Sequence, residues 1–180
     1  MSSAPEKLET VRAFVNTTDL EGGSDEFVTP SALVVWLSEH ALIESVAEAS
    51  EQDLEHSRAL REALRALLFA NSGGELDPKA PDVLDATAER AGLRLRFDAS
   101  GGASLMPSAG GVDGAYGRLL AIVADAMRAG TWERLKACRS DDCRWAFFDA
   151  SKNRSRAWCS MAICGNRAKA RAFRERHAGA

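Results

Sequence analysis

The chain has 180 residues, 46% of them hydrophobic, with 23 Lys+Arg against 26 Asp+Glu and four cysteines. That suffices for one good core, or for one core plus a small appendage that needs stabilisation of its own. No apolar run approaches the roughly 20 residues of a membrane span, and the opening MSSAPEKLETVR lacks the basic-then-apolar layout of a signal peptide, so the expected location is the cytoplasm, where structural disulfides are rare.

The net charge of −3 hides an asymmetry. From residue 131 onward 12 Lys+Arg stand against 5 Asp+Glu, a balance of +7, which leaves −10 for residues 1–130. An acidic body with a basic tail suggests a tail that meets polyanions, or one that folds onto its own body.

Thr29 followed by Pro30 reads as an N-cap with proline at the first helical position, and Leu33, Trp36 and Leu37 recur at helical spacing. A helix of about 15 residues is expected there. Ser50 with Asp53 resembles a capping box, and Leu54, Leu60, Leu64, Leu67 and Leu68 give the next helix an apolar face until NSGG stops it. Asp77 and Pro78 open a shorter helix that Gly92 can close. LRLRF over 93–97 switches to a period of two, with DASGG as the turn and ASLMP as the return strand. Tyr116, Leu119, Leu120, Val123 and Met127 restore helical periodicity until Gly130, after which Thr131 can cap a short continuation through Trp132 and Leu135. These stripes read as core packing.

All four cysteines fall between Cys138 and Cys164, in the pattern C-x4-C-x15-C-x4-C. Two pairs separated by a hairpin-sized insert can bring four thiolates to the corners of one tetrahedral zinc site, and soft sulfur ligands in a reducing compartment favour a structural Zn2+. In the insert, RWAFFD and SRAWC are expected to pair as antiparallel strands around ASKNR, and a final helix, NRAKARAFRERH, starts after Cys164. Knuckle, hairpin and helix in that order predict a treble-clef-like finger. Two disulfides would need an oxidising compartment, and a reactive thiol would need a positioned base. None of His40, His56 and His177 offers one, and all three read as surface or packing residues.

The segment CRSDDCRWAFFDASKNRSRAWCSMAICGNRAKARAFRER resembles the CGNR zinc finger, whose naming motif stands here as Cys164, Gly165, Asn166 and Arg167. The resemblance covers about the last quarter of the chain. In that family the finger commonly follows an alanine-rich, stress-associated N-terminal domain with an early FVNT motif, present here as Phe14, Val15, Asn16 and Thr17 within VRAFVNT, where LDFVNT is commoner. The family label is that of a stress-induced transcription regulator. The resemblance implies that Cys138, Cys143, Cys159 and Cys164 bind one zinc and that Gly165 lets the backbone pass close to the metal site. Asn166 either caps the helix or bonds a hairpin carbonyl, and Arg167 either pairs with Asp149 or contacts phosphate.

The predicted fold is therefore α+β and mainly helical: a helical N-terminal domain over 1–130 with one β-hairpin, then a treble-clef-like finger over 131–180. The leading functional expectation is a transcription regulator that binds nucleic acid, DNA rather than RNA, through the finger, with the N-terminal domain as a sensing or dimerising module. Arg167, Arg171 and Arg174 form one stripe of the final helix and are the expected phosphate contacts; Asn166, Ala170, Phe173 and His177 form a second, suited to packing on the hairpin. The alternative is a zinc-stabilised protein-interaction module whose basic tail meets an acidic surface. No Gly-rich phosphate loop, His-Glu metal motif or triad layout is present, so an enzyme is not expected.

Overall fold

The computed structural model describes residues 5–44 and 47–177. Helix α1 (Glu6–Val15) buries Leu8, Val11, Phe14 and Val15 on one side. A minimal hairpin follows, β1 (Thr18–Asp19) with β2 (Ser24–Asp25), in the register Thr18↔Asp25 and Asp19↔Ser24.

Helix α2 (Pro30–Glu39) starts as expected, with Thr29 Oγ1 accepting the Ala32 N–H at 3.2 Å, and buries Leu33, Trp36 and Leu37. It stops at ten residues because the chain turns into a Schellman closure. Leu42 N–H donates to Leu37 O, Ala41 N–H donates to Ser38 O, and Ala41 takes a left-handed φ of 55°. Helix α3 (Glu51–Asn71) carries the capping box in full, Ser50 and Asp53 each satisfying the other's backbone N–H. It is the central element, packing on α1, α2, α4 and the finger strand β5.

Helix α4 (Ala80–Ala91) ends at Gly92, whose φ of 56° makes it the left-handed C-cap. The hairpin β3 (Arg94–Phe97) with β4 (Ala103–Met106) has the register Arg94↔Met106 to Phe97↔Ala103. Helix α5 (Gly111–Arg128) buries Tyr116, Leu119 and Val123, while Leu120 is half-buried and Met127 exposed. Tyr116 OH donates to Asp53 O at 2.8 Å, tying α5 to the first turn of α3. Leu33, Leu37, Leu60, Leu64, Leu68 and Leu119 are fully buried, and each contributes about 1.5–3 kcal/mol to this helical body.

A 3-10 turn (Trp132–Arg134) leads into β5 (Leu135–Ala137), which pairs antiparallel with β6 (Ala146–Phe148). A π-helical turn (Met161–Gly165) then runs into α6 (Asn166–His177).

The fold class stands as read, with two differences of detail. Residues 5–130 hold two short hairpins, not one, because the Asp19 carboxylate accepts the N–H groups of Glu21 and Gly22 and closes a tight turn in a segment without strand periodicity. In the finger, β6 pairs with β5, which precedes the first cysteine, and not with the SRAWC segment. The register is Leu135↔Phe148, Lys136↔Phe147 and Ala137↔Ala146. The backbone around SRAWC is bound elsewhere: Arg156 N–H donates to Asp149 Oδ2 at 2.9 Å, and Lys136 Nζ donates to the carbonyls of Arg154 and Arg156.

Trp132, Leu135, Ala137 and Ala146 belong to the same hydrophobic cluster as Phe14, Leu64 and Leu68. One apolar core thus runs from the helices into the finger hairpin.

Candidate metal centre and the residues that seat it

Cys138 leaves the end of β5, and Cys143 closes the loop that leads into β6. Cys138 N–H donates to Trp145 O at 2.9 Å and Cys143 N–H to Ser140 O at 3.0 Å, a knuckle at the tip of the hairpin. Cys159 precedes the π-helical turn and Cys164 lies within it. There Ser160 Oγ accepts Ile163 N–H at 3.3 Å, and Gly165 N–H donates to Ser160 O at 3.0 Å.

The four Sγ atoms lie within 4.8 Å of one another, and all four cysteines are free thiols. Cys143 Sγ and Cys159 Sγ are 3.6 Å apart, and Cys159 Sγ and Cys164 Sγ 3.7 Å. A tetrahedron with zinc–sulfur bonds of about 2.3 Å has edges of about 3.8 Å, whereas a disulfide needs about 2.05 Å. The spacing therefore fits one zinc ion with four thiolate ligands. Burial pushes the Cys159 thiol far above its ordinary value and Cys164 up to about 12. Cys138 also feels burial, but the backbone amides of Cys159 and Ser140 turned toward its sulfur bring it down overall. Clustered thiolates lacking a cation would repel one another, and a structural Zn2+ supplies that cation.

Gly165 is buried in the turn, where an added Cβ would come within 2.8 Å of Met161 Sδ and 3.5 Å of the Trp158 ring. Its close approach is thus to these two side chains. Asn166 Nδ2 donates to Ala162 O at 3.1 Å, a local bond across the junction of the π turn and α6. Arg167 pairs with Glu21 of the β1–β2 turn at 2.6 Å, and Arg171 faces Asp142 of the knuckle at 3.6 Å. Arg174 is exposed. Asp149 is occupied by Lys136, so it is no partner of Arg167. The stripe of Asn166, Ala170, Phe173 and His177 does not pack on the hairpin: no residue of α6 is buried, and Phe173 stacks instead on His177. The other histidines serve packing, His40 against Trp36 and His56 against Thr87.

The FVNT motif proves to be the seat of the knuckle. Ala146 is paired with β5 at a position where its own N–H and C=O point away from that strand, as every second residue of an antiparallel pair must. Asn16 meets both groups, its Oδ1 accepting Ala146 N–H at 2.7 Å and its Nδ2 donating to Ala146 O at 2.9 Å. One side-chain amide therefore acts as a one-residue strand. Arg65, buried on α3, donates to Val15 O at 2.6 Å and to Arg144 O at 3.0 Å, joining the same motif to the knuckle. Further along, Asn71 Nδ2 donates to the carbonyls of Trp132 and Leu135, and Ser72 Oγ to Ala137 O at 2.6 Å.

Thr17 and Arg61 complete the network. Thr17 Oγ1 donates to Phe14 O and accepts from Arg61, and Arg61 forks onto Asp25 with two bonds of 2.7 Å. The available signal was the motif itself, together with Arg61 and Arg65 lying one turn apart on the stripe that carries Leu54 and Leu68.

Fold and site together define a helical protein that carries a small four-cysteine zinc finger. The chain belongs to the ABATE family, whose description reads "Putative stress-induced transcription regulator" and whose model matches residues 9–129. The CGNR zinc finger family matches residues 134–177. No curated protein matches the chain. Among the described residues no helix is long and apolar enough to cross a membrane.

Proposed function

We propose that the protein is a non-enzymatic transcription regulator that binds DNA through its finger, in the cytoplasm and in answer to stress, while residues 1–130 sense a signal or form a homodimer. The observation that carries this reading is α6. Twelve residues long, it buries none of them and exposes Arg167, Lys169, Arg171, Arg174 and Arg176 against one acid, Glu175. A helix with no buried face gains little from its own protein, and the natural complement of its cations is a polyanion. Four thiolates also fill the coordination sphere of a zinc ion and leave no position for a substrate.

A second reading has its own support. The Arg167–Glu21 pair draws the start of α6 onto the acidic body, as an interaction module that holds its tail in would do. Both partners are about half exposed, with side chains 53% and 43% accessible, and solvent screens exposed pairs of this kind so that they contribute little, so phosphate can displace Glu21.

The test is the affinity of the zinc-loaded protein for duplex DNA against salt. Replacing Arg167, Arg171 and Arg174 by Gln should lessen the slope of log affinity against log salt by about one unit for each arginine that touches a phosphate, with zinc content unchanged. No measurable affinity at low salt would leave the interaction module as the better reading.

A further inference from the structure

We infer that the loop over residues 150–156, ahead of the second cysteine pair, is a preformed clamp for the phosphate backbone of DNA, with Lys152 and Arg154 as its contacts. The inference deepens the DNA-binding reading and rests on it.

The loop is exposed at Lys152, Asn153, Arg154, Ser155 and Arg156, yet its frame is fixed from beneath by buried charge. Lys136 and Asp149 are 4% and 0% exposed and pair at 2.9 Å. The other hydrogen bonds of both side chains go to the loop backbone. Asp149 accepts Ser151 N–H at 3.0 Å and Arg156 N–H at 2.9 Å, while Lys136 Nζ donates to Arg154 O and Arg156 O. Arg134 adds bonds of 3.0 Å to Asp149 O and Ser151 O. The loop backbone is thus tied down from within; Arg156 is also held, donating to Cys159 O at 2.8 Å and lying over the Phe147 ring, and the side chains of Lys152 and Arg154 are left exposed.

A buried ion pair is a weak source of stability compared with apolar residues of like volume, and its better use is to specify one conformation. Here the conformation specified is that of an exposed basic loop.

Arg154 sharpens the point. It holds a left-handed φ of 50°, where glycine or asparagine would be relaxed and arginine is strained. A strained backbone held by its surroundings at an exposed polar residue points to a use for that side chain. Within the protein Arg154 has Glu133 at 3.8 Å, with both side chains about half exposed, an arrangement that offers little. Among the described residues Lys152 has no acidic partner within 4.0 Å. Two cations on a loop whose backbone is already held at Ser151, Arg154 and Arg156 suit a regularly spaced row of phosphates, because less backbone freedom is lost on binding.

The experiment uses the full zinc-loaded chain and a random-sequence duplex DNA, titrated across a range of sodium chloride. K152Q/R154Q should weaken binding to every duplex alike and lower the log–log salt slope by about two, near 0.9 for each phosphate neutralised, with zinc content and melting temperature unchanged. A wild-type slope in this double variant, while the Arg167, Arg171 and Arg174 triple replacement still lowers it, would overturn the clamp and leave the DNA-binding reading standing. Absence of binding by the wild-type chain at low salt would overturn both.

Discussion

The helical body and the finger solve the same problem with different materials. In the body Phe14, Phe27 and Trp36 meet ring to ring, with centroids 5.5–5.8 Å apart, and leucines from α2, α3 and α5 close around them. Position there is fixed by packing, which tolerates conservative exchange. Beyond the hairpin that joins the main core, the finger is poor in buried apolar area, and its own cluster is little more than Cys138, Cys143 and Cys164 with Trp145, Trp158 and Cys159 beside them. What holds it is a metal site, one buried ion pair and side-chain amides that satisfy backbone groups. The contrast teaches that where apolar area is scarce, geometry is set by directional bonds, and each such bond is expensive to lose.

The largest effect should come from the metal. Strong chelation, or Cys164→Ser, should release one zinc per chain and unfold the finger. Because Trp132, Leu135, Ala137 and Ala146 sit in the body's own core, the melting temperature of the helices should fall with it. Helical melting at an unchanged temperature after zinc loss would show that the body does not need the hairpin.

Next in size is the buried pair. Lys136→Met strands the Asp149 carboxylate and should cost about 3–5 kcal/mol, read as a shift in the urea midpoint, whereas replacing both partners by apolar residues should recover only the part due to the stranded charge, because the loop bonds to both side chains are lost as well. Burial by itself would raise the Asp149 carboxyl, but the Lys136 ammonium and the amides of Ser151 and Arg156 hold it well below the usual carboxylate range. Its contribution is therefore complete above the ordinary carboxylate pKa of about 4 and is lost as the pH falls below it. Zinc-loaded wild type should accordingly lose more stability on acidification than a protein with both partners replaced, compared at equal zinc occupancy.

Smaller effects separate the seat of the finger from the body. Asn16→Ala leaves the N–H and C=O of Ala146 unpaired in a buried place, should cost about 1–3 kcal/mol for each stranded group that water cannot reach, and should loosen zinc. Ser50→Ala removes a cap at the far end of α3 and should cost about 1 kcal/mol with zinc affinity untouched. Equal effects of the two on zinc binding would erase the distinction between the regions.

Legibility followed the same divide. Caps and amphipathic faces are local, so Thr29, the Ser50 and Asp53 box, Gly92 and the apolar stripes of α3 and α5 could be read along the chain. The four thiolates could be read because ligand type and spacing belong to the sequence itself. The arginine stripe was visible as a periodicity, but its exposure and its acidic neighbours were not.

What the sequence determined by itself was the helical class, the asymmetry of charge and the tetrathiolate ligand set. Only the tertiary structure decided that β6 pairs with β5, that Lys136 and Asp149 are buried, and that Asn16 crosses 130 residues of chain to act as a strand for Ala146. The reason is physical. Helix caps and zinc ligands are specified by residues a few positions apart, whereas a backbone group takes whichever polar partner the packed core brings to it.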